Sequence, residues 1–185
     1  MSKAEKTMDA YRRFARRHPL RFIGISIILV ILWISVIMFF SDENADQSGY
    51  RSASVLVGII NAVAPDANVT MENYEQIPAL ENSERVVRKL AHMTEYGILT
   101  ALVWSLCFGF RDIPRNYSYL IPVLVTFCVG ITDEANQTTV DGRYGSWFDV
   151  CVDTSAAVIT VAIARYLTNR YRQKKREKKN SSLSV

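Results

Sequence analysis

One feature constrains this chain of 185 residues above all others: an apolar run over residues 20–40, charged only at Arg21. A helix of that length crosses the roughly 30 Å hydrocarbon core of a bilayer at about 1.5 Å per residue. A basic segment precedes it, as in a secretory signal. The run is longer than the ~7–15 apolar residues of such a signal, and no small-x-small cleavage site follows, so it reads as an uncleaved anchor.

Three further apolar blocks follow at residues 97–110, 117–132 and 154–164. The first two extend only about 21 and 24 Å as helices, and the third is shorter. None fills the hydrocarbon core alone, so each helix must continue into a polar neighbour. The expected fold is therefore an all-α membrane protein with four transmembrane helices, at about 20–40, 88–110, 116–137 and 147–168. Residues 54–64 are apolar but too short to span, which predicts a short interfacial helix in the first outer loop, ended by Pro65 and Asp66. Residues 68–81 read as polar and irregular. The expected organisation is a basic arm (1–19), a membrane domain (20–168) and a basic tail (169–185), with no internal repeat.

Charge sets the orientation. Of the 22 basic residues, all but Arg51, Arg85, Arg88, Lys89 and Arg143 lie in the arm or at Arg21 beside it, in the tail or at Arg165 before it, or at Arg111 and Arg115 between the second and third spans. With four spans these regions share one side, which the positive-inside rule assigns to the cytoplasm. The first outer loop is acidic instead, through Asp42, Glu43, Asp46, Asp66, Glu72, Glu75, Glu81 and Glu84. Both termini are thus expected in the cytoplasm, with the protein in the inner or plasma membrane. The basic tail, directly after a span, suits anionic lipid heads rather than nucleic acid. Cys107, Cys128 and Cys151 fall inside predicted spans and read as small apolar residues, not a disulfide framework. His18 reads as an ordinary juxtamembrane residue, and the Asn68-Val69-Thr70 glycosylation pattern is too short to weigh.

The polar neighbours all lie at the outer ends. The second span brings Lys89, His92, Glu95 and Tyr96, the third Asp133, Glu134 and Gln137, and the fourth Asp149 and Asp153, after a loop with Asp141 and Arg143. An ionised side chain deep in a membrane helix costs roughly 2.5–3.5 kcal/mol even on lenient scales, so these groups should face one another or water. Lys89, His92 and Tyr96 are spaced i, i+3, i+7, as are Ser146, Asp149 and Asp153, so each set forms one helical stripe. Structural pairs such as Lys89 with Asp149 or Arg143 with Glu134 would account for some of them.

The residue types suit three chemistries. A divalent metal, the one cofactor the sequence suggests, would draw on His92, Glu95, Asp133, Glu134 and Asp149, with Asp153 as a further oxygen. Acid–base catalysis would use His92 with Glu134 or Asp149. Binding of an anionic headgroup or lipid-linked envelope precursor would use Lys89 and Arg143, with Glu95, Tyr96, Gln137 and Asp153 lining the pocket. No G-x-S-x-G, H-E-x-x-H or phosphate-cradling glycine loop is present. A small transporter is disfavoured without an inverted repeat.

The same residues resemble the VanZ-like family of bacterial membrane proteins. The resemblance runs from Gln47-Ser48-Gly49, with Ser52 and Ser54, to Arg88-Lys89-Leu90-Ala91-His92 and Glu95-Tyr96, similar to a K-x-x-H-x-x-x-Y signature. It continues through Asp133-Glu134-x-x-Gln137 and Gly142-Arg143 to Asp149-x-x-x-Asp153. Asp141 stands where a proline is usual, and Ala156 where a glycine is common. The resemblance implies a four-helix protein of the cell envelope, from a family whose founding member is linked to resistance to the glycopeptide teicoplanin. It carries no assigned biochemical activity.

Overall fold

The computed structural model describes residues 3–74, 77–107, 109–110, 113–114 and 116–181; Glu75, Arg111 and Arg115 lie outside the described residues. Among the described residues the chain forms seven α-helices and a short 3-10 turn: α1 Lys3–Arg17, α2 Pro19–Ser41, α3 Ala45–Val63, the turn Pro65–Ala67, α4 Met71–Tyr74, α5 Pro78–Cys107, α6 Tyr117–Gln137 and α7 Trp147–Ser181. Among the described residues, α2, α6 and the stretch Trp147–Glu177 of α7 are long and apolar enough to cross a membrane. The 30-residue α5 is longer than α2 or α6, but its first half carries Glu84, Arg85, Arg88 and Lys89, with Glu95 just beyond. The whole helix extends about 45 Å.

Several boundaries differ from the sequence expectation. The helix expected from residue 54 begins instead at Ala45, because Asn44 and Gln47 form a capping box: Gln47 N–H donates to Asn44 Oδ1 at 2.9 Å and Asn44 N–H to Gln47 Oε1 at 3.2 Å. Each side chain satisfies a backbone N–H that the helix start leaves open. The stretch read as irregular contains α4 and the start of α5. The basic tail does not leave the fourth helix but continues it to Ser181.

Helix α5 is the axis of the bundle, packing against α2, α3, α6 and α7. Its inward stripe is Tyr96, Leu99 and Val103, which meet Ile37 of α2 in a core flanked by Trp33, Ile34, Ile121 and Val125. The i, i+3, i+7 spacing places these three on one face. Below them Thr100 and Thr126 share a buried hydrogen bond of 2.9 Å between α5 and α6. A second small core joins α3 to α4 and α5 through Ala53, Leu56 and Tyr74. On α2 the opposite surface is apolar and exposed at Leu20, Ile28, Leu32 and Phe39, a surface that matches hydrocarbon rather than water. The three cysteines are free thiols, so the scaffold stands on helix packing without a disulfide.

Candidate functional site

The polar residues gather at one end of the bundle, where the last turns of α2 and α6 meet the first turns of α3 and α7 and the first half of α5. Successive helical residues point about 100° apart, so the adjacent carboxylates of Asp133 and Glu134 serve different neighbours. Asp133 faces α5: Tyr96 Oη–H donates to its Oδ2 at 2.7 Å, and Gln137 Nε2–H to the same oxygen at 3.2 Å. Glu134 turns toward α7 and accepts the Ser146 N–H at 2.7 Å. It thereby satisfies a backbone donor just ahead of α7, where helices leave such groups open.

That approach requires a glycine. A Cβ at Gly145 would stand 2.5 Å from the Glu134 carbonyl oxygen and 2.8 Å from Thr138 Cγ2. Gly142, with φ at +74°, turns the same loop in the left-handed region that favours glycine. The turn delivers Arg143 back onto the end of α2, where its NH1 donates to the carbonyls of Glu43 and Ser41 at 3.3 Å and of Phe40 at 3.5 Å. These are carbonyls at and just beyond the helix end, and a guanidinium there complements the helix dipole. Burial pulls the Arg143 pKa down from the ordinary arginine value, while Asp133 and Glu134 pull it back up. The side chain remains a cation.

The expected pair of Lys89 and Asp149 is present as a hydrogen-bonded ion pair, with Lys89 also over the Phe148 ring. The other expected pair does not form. Arg143 spends its NH1 on carbonyls at and just beyond the end of α2, and Glu134 bonds the Ser146 N–H instead. Glu95 lies on the α2 and α3 side of His92, and its carbonyl oxygen accepts from Trp33 Nε1 at 2.8 Å.

His92, Asp133 and Asp153 converge. One potential ligand atom from each lies within 4.8 Å of the other two. Asp133 and Asp153 are each 1 % exposed. Neither oxygen of Asp153, nor Oδ1 of Asp133, nor Nδ1 of His92 has a hydrogen-bond partner. Two ionised carboxylates at such a separation repel by about 3–4 kcal/mol at an effective dielectric of ~20. Of the metal ligands expected from sequence, His92 and Asp133 belong to this group. Glu134 and Asp149 are engaged elsewhere, and Asp153, expected to contact a ligand, completes the trio.

Two cavities open beside the trio and share Arg88, His92 and Arg143 as walls. The larger, about 340 Å³, runs past Lys89, Asp149 and Asp153. The smaller, about 210 Å³, lies against α3 and is lined by Ser41, Ser48, Ser52 and Arg51. Ser48, Ser52 and Arg88 belong to the motifs that carry the family resemblance, but neither they nor Ser41 and Arg51 are among the site residues expected from the sequence. The signal that finds them is the i, i+4 spacing of Ser48 and Ser52, both buried on one face of α3. Most cations around the cavities already have acidic partners, in Arg51 with Glu43 at 2.8 Å and Arg88 with Glu84 at 2.6 Å.

A family model described as VanZ/LLP1 matches residues 26–168, a stretch that contains every residue of this site. No curated protein and no solved structure matches the chain.

Proposed function

The chain belongs to the VanZ/LLP1 family, and from that membership we propose a pocket for the anionic headgroup of an envelope lipid or lipid-linked precursor. In this reading α2, α5, α6 and α7 all span the bacterial plasma membrane and α3 rests in the outer interface. Both termini face the cytoplasm, which puts the His92 end of the bundle outside. The charge asymmetry supports that orientation: α1 and the end of α7 are basic, while the loop around α3 is acidic. The family's link to glycopeptide resistance fits the same side, since glycopeptides act on cell-wall precursors at the outer surface.

The observation that carries the reading is the sharing of Arg88, His92 and Arg143 by both cavities. Guanidinium forks suit phosphate oxygens, and a partly dehydrated setting strengthens the attraction. His92 is the group best placed to move a proton if the bound molecule is also modified, while Glu134 and Asp149 hold the start of α7. The ion pairs of Arg51, Arg88 and Lys89 favour a second reading, in which the charges are structural and the protein is a non-enzymatic scaffold.

Native mass spectrometry of the purified full chain separates the two readings. Phosphatidic acid and phosphatidylcholine with the same acyl chains serve as probes. The headgroup pocket predicts preferential retention of phosphatidic acid, reduced about tenfold in Arg143→Ala, a change of about 1.4 kcal/mol. Equal retention of both lipids by the wild type would leave the scaffold reading.

A further inference from the structure

We propose that His92, Asp133 and Asp153 bind a divalent first-row transition metal between the two cavities, with Asp133 lining one, Asp153 the other and His92 both. The inference deepens the headgroup reading, since such an ion would offer a phosphate oxygen a direct coordination position that the paired side chains cannot.

Three features point to a ligand rather than to internal packing. The first is chemical: one imidazole and two carboxylates are a donor set suited to Zn²⁺ or Mn²⁺. The second is the unmet bonding capacity. Asp153 has both oxygens without a hydrogen-bond partner, and Asp133 and His92 each present one such atom. Buried polar atoms are ordinarily paired, so several orphans from three helices at one point call for a common partner. The third is the support behind Asp133. Tyr96 and Gln137 both donate to Oδ2, which fixes the carboxylate and leaves Oδ1 for the ion. Outer hydrogen bonds of this kind orient metal ligands elsewhere.

The geometry is close to what the ion needs. Zn²⁺ bonds of about 2.1 Å put opposed ligands at most about 4.2 Å apart. The three atoms stand within 4.8 Å of one another, so small side-chain rotations suffice. Two carboxylates neutralise a divalent ion, which removes their mutual repulsion. Three protein ligands leave further coordination positions for water or a phosphate oxygen, beside Arg143.

The test uses the full chain in a zwitterionic detergent without anionic lipid, so that it reads the metal alone. The protein is stripped with chelator and titrated separately with Zn²⁺, Mn²⁺, Mg²⁺ and Ca²⁺, following bound metal and thermal midpoint. The site predicts near-stoichiometric Zn²⁺ or Mn²⁺ and a raised midpoint in the wild type, with both lost in Asp153→Asn and His92→Ala. Visible ligand-field bands on adding Co²⁺ report the site directly in the wild type, whether or not the variants fold. Wild-type protein with no retained metal, no shifted midpoint and no Co²⁺ bands would overturn the inference, as would undiminished retention in folded variants. Metal bound without any preference for phosphatidic acid would instead sink the headgroup reading and leave the metal site standing. Equal phosphatidic acid retention with and without bound metal would separate the two sites.

Discussion

Tyr96 donates its hydroxyl hydrogen to Asp133 Oδ2 at 2.7 Å while Oδ1 of that carboxylate has no hydrogen-bond partner. A fully buried tyrosine on α5 thus engages one oxygen of an α6 aspartate that converges with His92 and Asp153, and leaves the other without a partner. The stacking of His92 on the Tyr96 ring, with planes 12° apart, ties the third member of the group to the same residue.

Tyr96→Phe keeps the ring and removes the hydroxyl. Competition with a fluorescent chelator should show Zn²⁺ or Mn²⁺ affinity lowered about 10–100-fold, the usual cost of losing an outer-shell partner. Stability without metal should fall by about 1 kcal/mol for the lost hydrogen bond. Unchanged affinity would mean that Tyr96 does not orient a metal ligand.

Gly145→Ala places a methyl against the Glu134 carbonyl and Thr138. The start of α7 must move away, breaking the Ser146 contact to Glu134. We expect a loss of about 1–3 kcal/mol, typical of forced overpacking. Unfolding in mixed detergent measures it, with Gly58→Ala, whose site has nothing within 4 Å, as the control.

Arg143→Lys retains the charge but not the guanidinium NH1 that reaches three carbonyls. Stability should drop by about 1–2 kcal/mol, and Arg143→Met should drop further because the α2 end then loses the cation as well. Equal denaturation midpoints for wild type and Arg143→Met would remove the helix-end role.

The opposite end of the bundle carries a pH-dependent contact. Tyr171 donates to Asp9, and Lys175 reaches the same carboxylate at 3.3 Å. Those hydrogen bonds hold the Asp9 pKa below its ordinary value. A depressed carboxylate pKa stabilises above the unfolded-state value and loses that contribution as pH falls through the folded one. Spin labels on α1 and α7 should therefore keep a constant separation near neutral pH and spread only in acid. Asp9→Asn should show the broader distribution at all pH values.

Much of the fold can be read from hydropathy. The run at residues 20–40 becomes α2, and the blocks around 117–137 and 147–168 lie in α6 and α7. The early start of α3 was legible as well, in the Asn44-x-x-Gln47 pattern, but a search keyed to apolar residues passes over it. The early start of α5 is harder to read, since its first turns are charged and pack through Val87 and Leu80 against a helix far back in the chain.

The sequence by itself determined that polar stripes on three helices would lie near one end of the bundle. Periodicity and the cost of charge in hydrocarbon require it. Only the tertiary structure decided which of the adjacent Asp133 and Glu134 meets His92. That choice depends on how α6 is rotated against α5 and α7, and side-chain packing and the Gly145 contact set the rotation. It also decided that Arg143 would turn to the end of α2, because a loop with a left-handed glycine can send its next residue to either neighbour and only the assembled helices bring the carbonyls of the α2 end within its reach.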